Sequence, residues 1–150
     1  MSEVTQITEI DEIVSRMIRT LGPKFFAEAR RAGRFNADFF ESMFAQLLDQ
    51  GLGAGLRLGE HGVLVAVLTP DMVTGDTVAM ELFWYVDPDY RGIGKKLMSA
   101  FEQWARDVGA NRMVMGHPLP CDQSMGQFYM RQMYMPLETH YMKEVICLKP

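Results

Sequence analysis

The sequence predicts a mixed α/β (α+β) domain in which a central sheet carries helices on both faces. Three observations predict it. Apolar residues recur at the helical period in some stretches and at the strand period in others. Two helical stretches precede a run of three strands, after which helices and strands alternate. The 150 residues match the length of one compact domain, so residues 1–150 are read as a single unit.

The elements follow in order. Val4 to Ile7 reads as a first strand. From Asp11, the positions Ile13, Val14, Met17, Ile18 and Leu21 recur at helical spacing, with Gly22-Pro23 expected to stop the helix. Asn36 is an N-cap candidate for a second helix running through Phe39, Phe40, Met43, Phe44, Leu47 and Leu48 to Gly51, with Phe25 and Phe26 in the segment before it. Gly55 to Gly59 and Val63 to Leu68 suggest a hairpin closed by Pro70. Thr77 to Val86 is nearly continuous in apolar residues, with Glu81 its only charge, as expected of a strand covered on both faces. Leu97, Met98, Phe101, Trp104, Ala105 and Val108 mark a third helix ended by Gly109, and Arg112 to Met115 a further strand. Past His117-Pro118 and Pro120, Asp122 or Ser124 can cap a short helix containing Met125, Phe128 and Tyr129, and Thr139 to Leu148 alternates like a terminal strand.

Composition narrows the function classes. A formal charge of −4 gives no electrostatic footprint for nucleic acid and slightly favours cationic acceptors. Glu3, Glu9, Asp11 and Glu12 leave no apolar signal core, and no run of about 18 apolar residues occurs, so a soluble cytoplasmic protein without membrane contact is expected. Cys121 and Cys147 form no CxxC pair, no zinc-ligand spacing is present, and the 13 methionines form no metal box. No metal is expected.

The stretch richest in chemistry is the buried strand ending at Pro88, then Asp89-Tyr90-Arg91-Gly92-Ile93-Gly94-Lys95-Lys96, then an amphipathic helix. Strand, glycine loop and helix make a phosphate cradle: glycines let the backbone approach, and the helix N-terminus adds roughly half a positive charge. A dinucleotide fingerprint needs a third glycine where Leu97 stands, and a Walker A loop needs glycine at Asp89 and Ser or Thr at Lys96, so both fail. Lys95 and Lys96 oppose the helix dipole unless an anion binds there.

From Thr77 to Glu144 the chain resembles the GNAT acetyltransferases. The resemblance is carried by Phe83-Trp84-Tyr85-Val86-Asp87-Pro88-Asp89-Tyr90-Arg91-Gly92, Phe101 to Ala105, Met115-Gly116-His117, Phe128-Tyr129 and His140-Tyr141-Met142-Lys143-Glu144. These phrases are similar to those of small bacteriophage-type acetyltransferases. The resemblance implies a mostly antiparallel sheet of about six to seven strands with about four helices, acetyl-CoA as co-substrate, and a small-molecule or protein amine as acceptor; it is compatible with a homodimer.

It also implies site roles. Arg91, Gly92, Ile93, Gly94, Lys95 and Lys96 would hold the coenzyme A pyrophosphate, and the backbone of Phe83, Trp84, Tyr85 and Val86, splayed by a bulge, would pair with the pantetheine arm. Tyr129 matches the tyrosine that protonates the leaving thiolate, and Glu81 is the candidate base for the amine. The departures are Asp89 at the usual Arg/Gln position, a loop two residues shorter than the common form, and Met133 in place of glycine. These keep open a catalytically inactive GNAT-fold protein that binds a macromolecule, and the aromatic and Met residues keep open a longer acyl group. Glu81 also reads as a paired carboxylate, Tyr129 as a core aromatic, His117 as a turn residue, and Cys121 as a thiol without an orienting group.

Overall fold

The computed structural model of the chain describes residues 3–29, 33–117 and 124–145. Two helices begin where a side chain closes the first turn. The Asp11 carboxylate accepts the Val14 N–H at 2.8 Å ahead of α1 (Glu12–Glu28), and the Asn36 side chain accepts that of Phe39 at 3.0 Å ahead of α2 (Ala37–Asp49). Each such cap is worth about 1 kcal/mol. The remaining elements are β1 (Val4–Ile7), β2 (Gly53–Leu58), β3 (Gly62–Pro70), β4 (Thr77–Val86), a 3-10 turn (Pro88–Tyr90), α3 (Lys95–Asp107), β5 (Arg112–Val114) and α4 (Ser124–Arg131).

The five strands form one sheet in chain order, antiparallel from β1 to β4, with β5 parallel to β4. The mixed α+β class is as expected, but the described residues hold five strands where six to seven were anticipated. The difference lies at the C-terminus. Residues 132–145 carry no strand, and the rest of the expected Thr139–Leu148 element lies outside the described residues. An alternating pattern supplies a strand only when a sheet edge receives it, and Tyr141 and Val145 are exposed. Pro118, Pro120, Cys121, Asp122 and Cys147 also lie outside the described residues.

A second correction concerns α1, which runs through Gly22-Pro23 to Glu28. A proline within a helix removes one backbone hydrogen bond and costs about 3 kcal/mol. Packing offsets that cost. Met17, Ile18 and Leu21 are buried on one side of the proline, and Phe25 beyond it meets Phe83 edge-on at 4.7 Å. Gly22 is required by space: a Cβ there would lie 2.2 Å from the ring of Phe35.

The sheet has two cores. On one face, α1 and α2 bury Val14, Ile18, Leu21 and Phe44 against Ile7, Val63, Val65, Phe83 and Tyr85. On the other, α3 buries Leu97, Phe101 and Ala105 against Leu56, Leu64, Ala66, Ala79 and Val86. A fully buried Leu or Phe side chain contributes about 1.5–3 kcal/mol, which makes Leu97 and Phe101 the anchors that fix where α3 begins.

β4 changes character halfway along. Its pairing with β3 shifts register between Val65, opposite Phe83, and Ala66, opposite Glu81, so Leu82 is an extra residue on β4. The bulge therefore sits one residue before the Phe83–Val86 stretch where the sequence analysis placed it. β5 accompanies β4 only from Val78 to Met80. From Glu81 onward, the β5-side edge of β4 has no strand beside it among the described residues.

Candidate functional site

The loop from β4 to α3 is held in shape by charged side chains. The Asp87 carboxylate accepts from Lys24 Nζ at 2.9 Å and contacts His61 Nδ1 at 3.4 Å, while the His61 ring stacks on Tyr90 at 3.8 Å. Burial opposes ionisation of Asp87, but the hydrogen bonds from Lys24 and His61 outweigh it and hold the carboxyl below its usual range. Arg91 donates to both Glu28 carboxylate oxygens, at 2.9 and 2.7 Å, and to the Val86 carbonyl at 3.1 Å, with its guanidinium over the Tyr85 ring. Its side chain thus ties the loop to the end of α1.

The turn then tightens. Gly92 has φ of 103°, a region that disfavours side chains, and a Cβ on Gly94 would lie 3.2 Å from Val86 and 3.6 Å from the Trp84 ring. The amides of Lys96, Leu97 and Met98 bond back to Ile93 and Gly94 carbonyls. Those of Gly92, Ile93, Gly94 and Lys95 have no hydrogen-bond partner among the described residues. The turn opens on a cleft of about 580 Å³ lined by Gly92, Ile93, Lys95, Lys96 and Ser99, with Glu3 and Val4 across it. Lys95 and Lys96 form no ion pair among the described residues, so their two charges outnumber the single Glu3 carboxylate. An anion suits this lining.

The second cluster lies where β4 parts from β5. Glu81 Oε2 accepts the N–H of Gly116 at 3.1 Å, and the Tyr129 hydroxyl donates to the Gly116 carbonyl at 2.9 Å. Tyr129 is buried and shares an aromatic group with Trp84, Phe128, Tyr134 and His117. Burial, with the Glu102 carboxylate at its hydroxyl, pushes the Tyr134 phenol well up, so it stays protonated. The backbone of one residue, Gly116, therefore joins a carboxylate and a phenol that lie far apart in the chain.

Of the residues singled out from sequence, the structure gathers Gly92, Ile93, Lys95 and Lys96 on one cleft and Glu81 and Tyr129 on Gly116. Phe83 and Tyr85 turn their side chains into the α1–α2 core, while Trp84 and Val86 face α3. His117 stands 6.5 Å from the Tyr129 ring, centroid to centroid, and Cys121 lies outside the described residues. The sequence analysis missed Gly116, Glu28 and Leu82. Gly116 was legible only as part of Met115-Gly116-His117, and the other two depend on cross-chain pairing.

Comparison with known proteins agrees with this layout. The model of the acetyltransferase (GNAT) family matches residues 17–133. No curated protein sequence matches the chain. Among solved structures, the aminoglycoside acetyltransferase AAC(6')-Iy, bound to a coenzyme A bisubstrate analogue, superposes with TM-score 0.72 at 17% identity over 98% of this chain and 99% of its own. A ribosomal-protein-alanine N-acetyltransferase from Brucella melitensis gives 0.67 at 19% identity over 95% and 99% of the two chains. A Pyrococcus furiosus protein described as a "putative acetyl transferase" gives 0.65 at 21% over 95% and 100%. At these identities the likeness is one of fold. The family match, however, runs from within α1 to just past α4 and takes in the bulge, the parted strands and the glycine loop, and on that ground the chain belongs to the acetyltransferase (GNAT) family.

Proposed function

We propose that the protein is an N-acetyltransferase that moves the acetyl group of acetyl-CoA to a primary amine by direct attack. The observation that carries this reading is the run of amides from Gly92 to Lys95 that have no hydrogen-bond partner among the described residues, at a cleft lined by Lys95 and Lys96, which form no ion pair among those residues. Backbone N–H groups at a helix start and nearby ammonium groups are what a diphosphate needs. The shortened loop with Asp89 is compatible with this, because Lys95 and Lys96 supply the cationic charge.

The other roles follow from this chain's own groups. The β5-side edge of β4 past Met80 has no strand beside it among the described residues, which leaves room for the amides of a pantetheine arm. A β4 N–H aimed at the thioester oxygen stabilises the negative charge that attack builds there, worth about 3 kcal/mol in a dry site. Glu81 accepts the proton that a cationic amine must lose, directly or through water. The nitrogen bonds to the acetyl carbon, the carbon–sulfur bond breaks, and Tyr129 gives a proton to the thiolate, which requires its hydroxyl to turn from the Gly116 carbonyl; the second proton of the attacking nitrogen then passes through water to restore the phenol. Among the described residues no helix is long and apolar enough to cross a membrane.

Titration calorimetry with acetyl-CoA, followed by thiol-release assays on a panel of amines, tests the reading. Heat of binding and thiol release dependent on an amine support it. No heat with acetyl-CoA would sink it in favour of a GNAT-fold protein that binds a macromolecule without turnover.

A further inference from the structure

α2 carries more apolar surface than its core contact uses. Phe40, Phe44 and Leu48, four residues apart, pack into the α1–α2 core. Phe39, Met43 and Leu47, one position earlier in each turn, form a second stripe, of which Phe39 is 64% and Met43 41% exposed. This second stripe, with Phe40 and Phe44 as its floor and Val65 and Leu82 as its far wall, lines a pocket of about 90 Å³. Among the described residues, the side chains that line it are all apolar.

The far wall connects the pocket to the proposed chemistry. Leu82 is the bulge residue, and the bulge turns Leu82 and Phe83 to the same side, whereas the preceding Glu81 reaches Gly116. On its β5 side β4 has no strand beside it beyond Met80 among the described residues, so Glu81 stands at an open edge of the sheet. A group seated against Leu82 therefore sits one residue from the carboxylate that would take the amine proton. Charge selects the occupant further. Asp38 and Glu41 on α2 pair with Arg19, with Glu41 also accepting from Ser15, so part of their charge is already offset.

Resting on the acetyl-transfer reading above, we infer that this pocket selects the acceptor: a primary amine whose substituent is a single aromatic ring or a branched alkyl group, in preference to a polyamine or an aminosugar. Specificity comes from apolar area against Phe39, Met43 and Leu82, with the nitrogen directed to Glu81.

The test compares 2-phenylethylamine and isoamylamine with ethylamine, spermidine and kanamycin in the thiol-release assay. The expected kcat/KM for 2-phenylethylamine exceeds that for ethylamine by about 100-fold, as several matched carbons in an apolar pocket allow. Phe39→Ser and Met43→Gln, at exposed positions, should each shrink that ratio about tenfold while leaving the acetyl-CoA binding heat unchanged. A higher kcat/KM for spermidine or kanamycin would overturn the inference, as would an unchanged ratio in both variants. So would a change in sedimentation alone, which would assign the stripe to a contact between copies. Failure of the acetyl-transfer reading is read separately: 2-phenylethylamine added without acetyl-CoA should shift the methyl resonances of Met43 and Leu82 where ethylamine does not. No such shifts would overturn the pocket assignment itself.

Discussion

Tyr129→Phe separates two demands placed on one hydroxyl. The ring is buried among Trp84, Phe128 and Tyr134, and the substitution keeps it while removing the 2.9 Å hydrogen bond to the Gly116 carbonyl. Loss of one such bond costs about 1 kcal/mol, or a fall in Tm of about 2–4 °C for a chain of this size. Loss of a general acid costs more, about 100- to 10,000-fold in rate. A hydroxyl has one proton, and while it is donated to Gly116 it cannot reach a thiolate. The acid role therefore predicts a large fall in kcat together with the small fall in Tm, measured by thiol release and thermal melting on the same preparation. A kcat within twofold of the parent, with the expected melt, would refute the role and leave Tyr129 as a packing residue that steadies Gly116.

Other expectations can be checked as directly. Met133 has φ of 69°, closes α4 with hydrogen bonds to Met130 and from Tyr134 to Tyr129, and is 90% exposed. Met133→Gly should therefore raise Tm by about 2–4 °C, reflecting relief of about 1 kcal/mol of backbone strain; an unchanged or lower Tm contradicts this. Gly94→Val would press methyl groups toward Val86 and Trp84 and narrow the turn, so calorimetry should find acetyl-CoA affinity at least about tenfold weaker, and parent-like affinity would argue against the cradle. Reversing charge in Lys95→Glu/Lys96→Glu should weaken acetyl-CoA binding and flatten its dependence on salt; an unaltered salt dependence would remove the lysines from the site. Asp87 has a folded pKa below its unfolded one, so its stabilising contribution is complete above about pH 4 and is lost as pH falls through the depressed value. Asp87→Asn should flatten the acid limb of the urea midpoint against pH, and an acid limb identical to the parent's would count against that assignment.

Much of the fold was legible because its elements announce themselves locally. Thr77 to Val86 and the Asn36 cap matched because a continuous apolar run and a capping side chain depend only on neighbours in sequence. The α1 boundary did not, because the case for continuing through Pro23 is made by Phe83 and Phe35, which are distant in the chain. The bulge at Leu82 was equally hidden, since an extra residue in β4 exists only relative to its pairing with β3. The apolar stripe of α2 was read as core, and half of it is; that Phe39 and Met43 face outward follows from the rotation of the helix against the sheet. Glu81 and Tyr129 could be named from sequence, but their meeting at Gly116 depends on where α4 packs relative to β4, which neighbours in sequence do not reveal.

The persistence of α1 past its proline has one more effect. Without those last turns Glu28 would not stand beside Arg91, and the glycine turn would be tethered to nothing on the opposite face of the sheet. With them, α1 and the glycine turn share a strut, and losing that ion pair would loosen the turn on the α1 side.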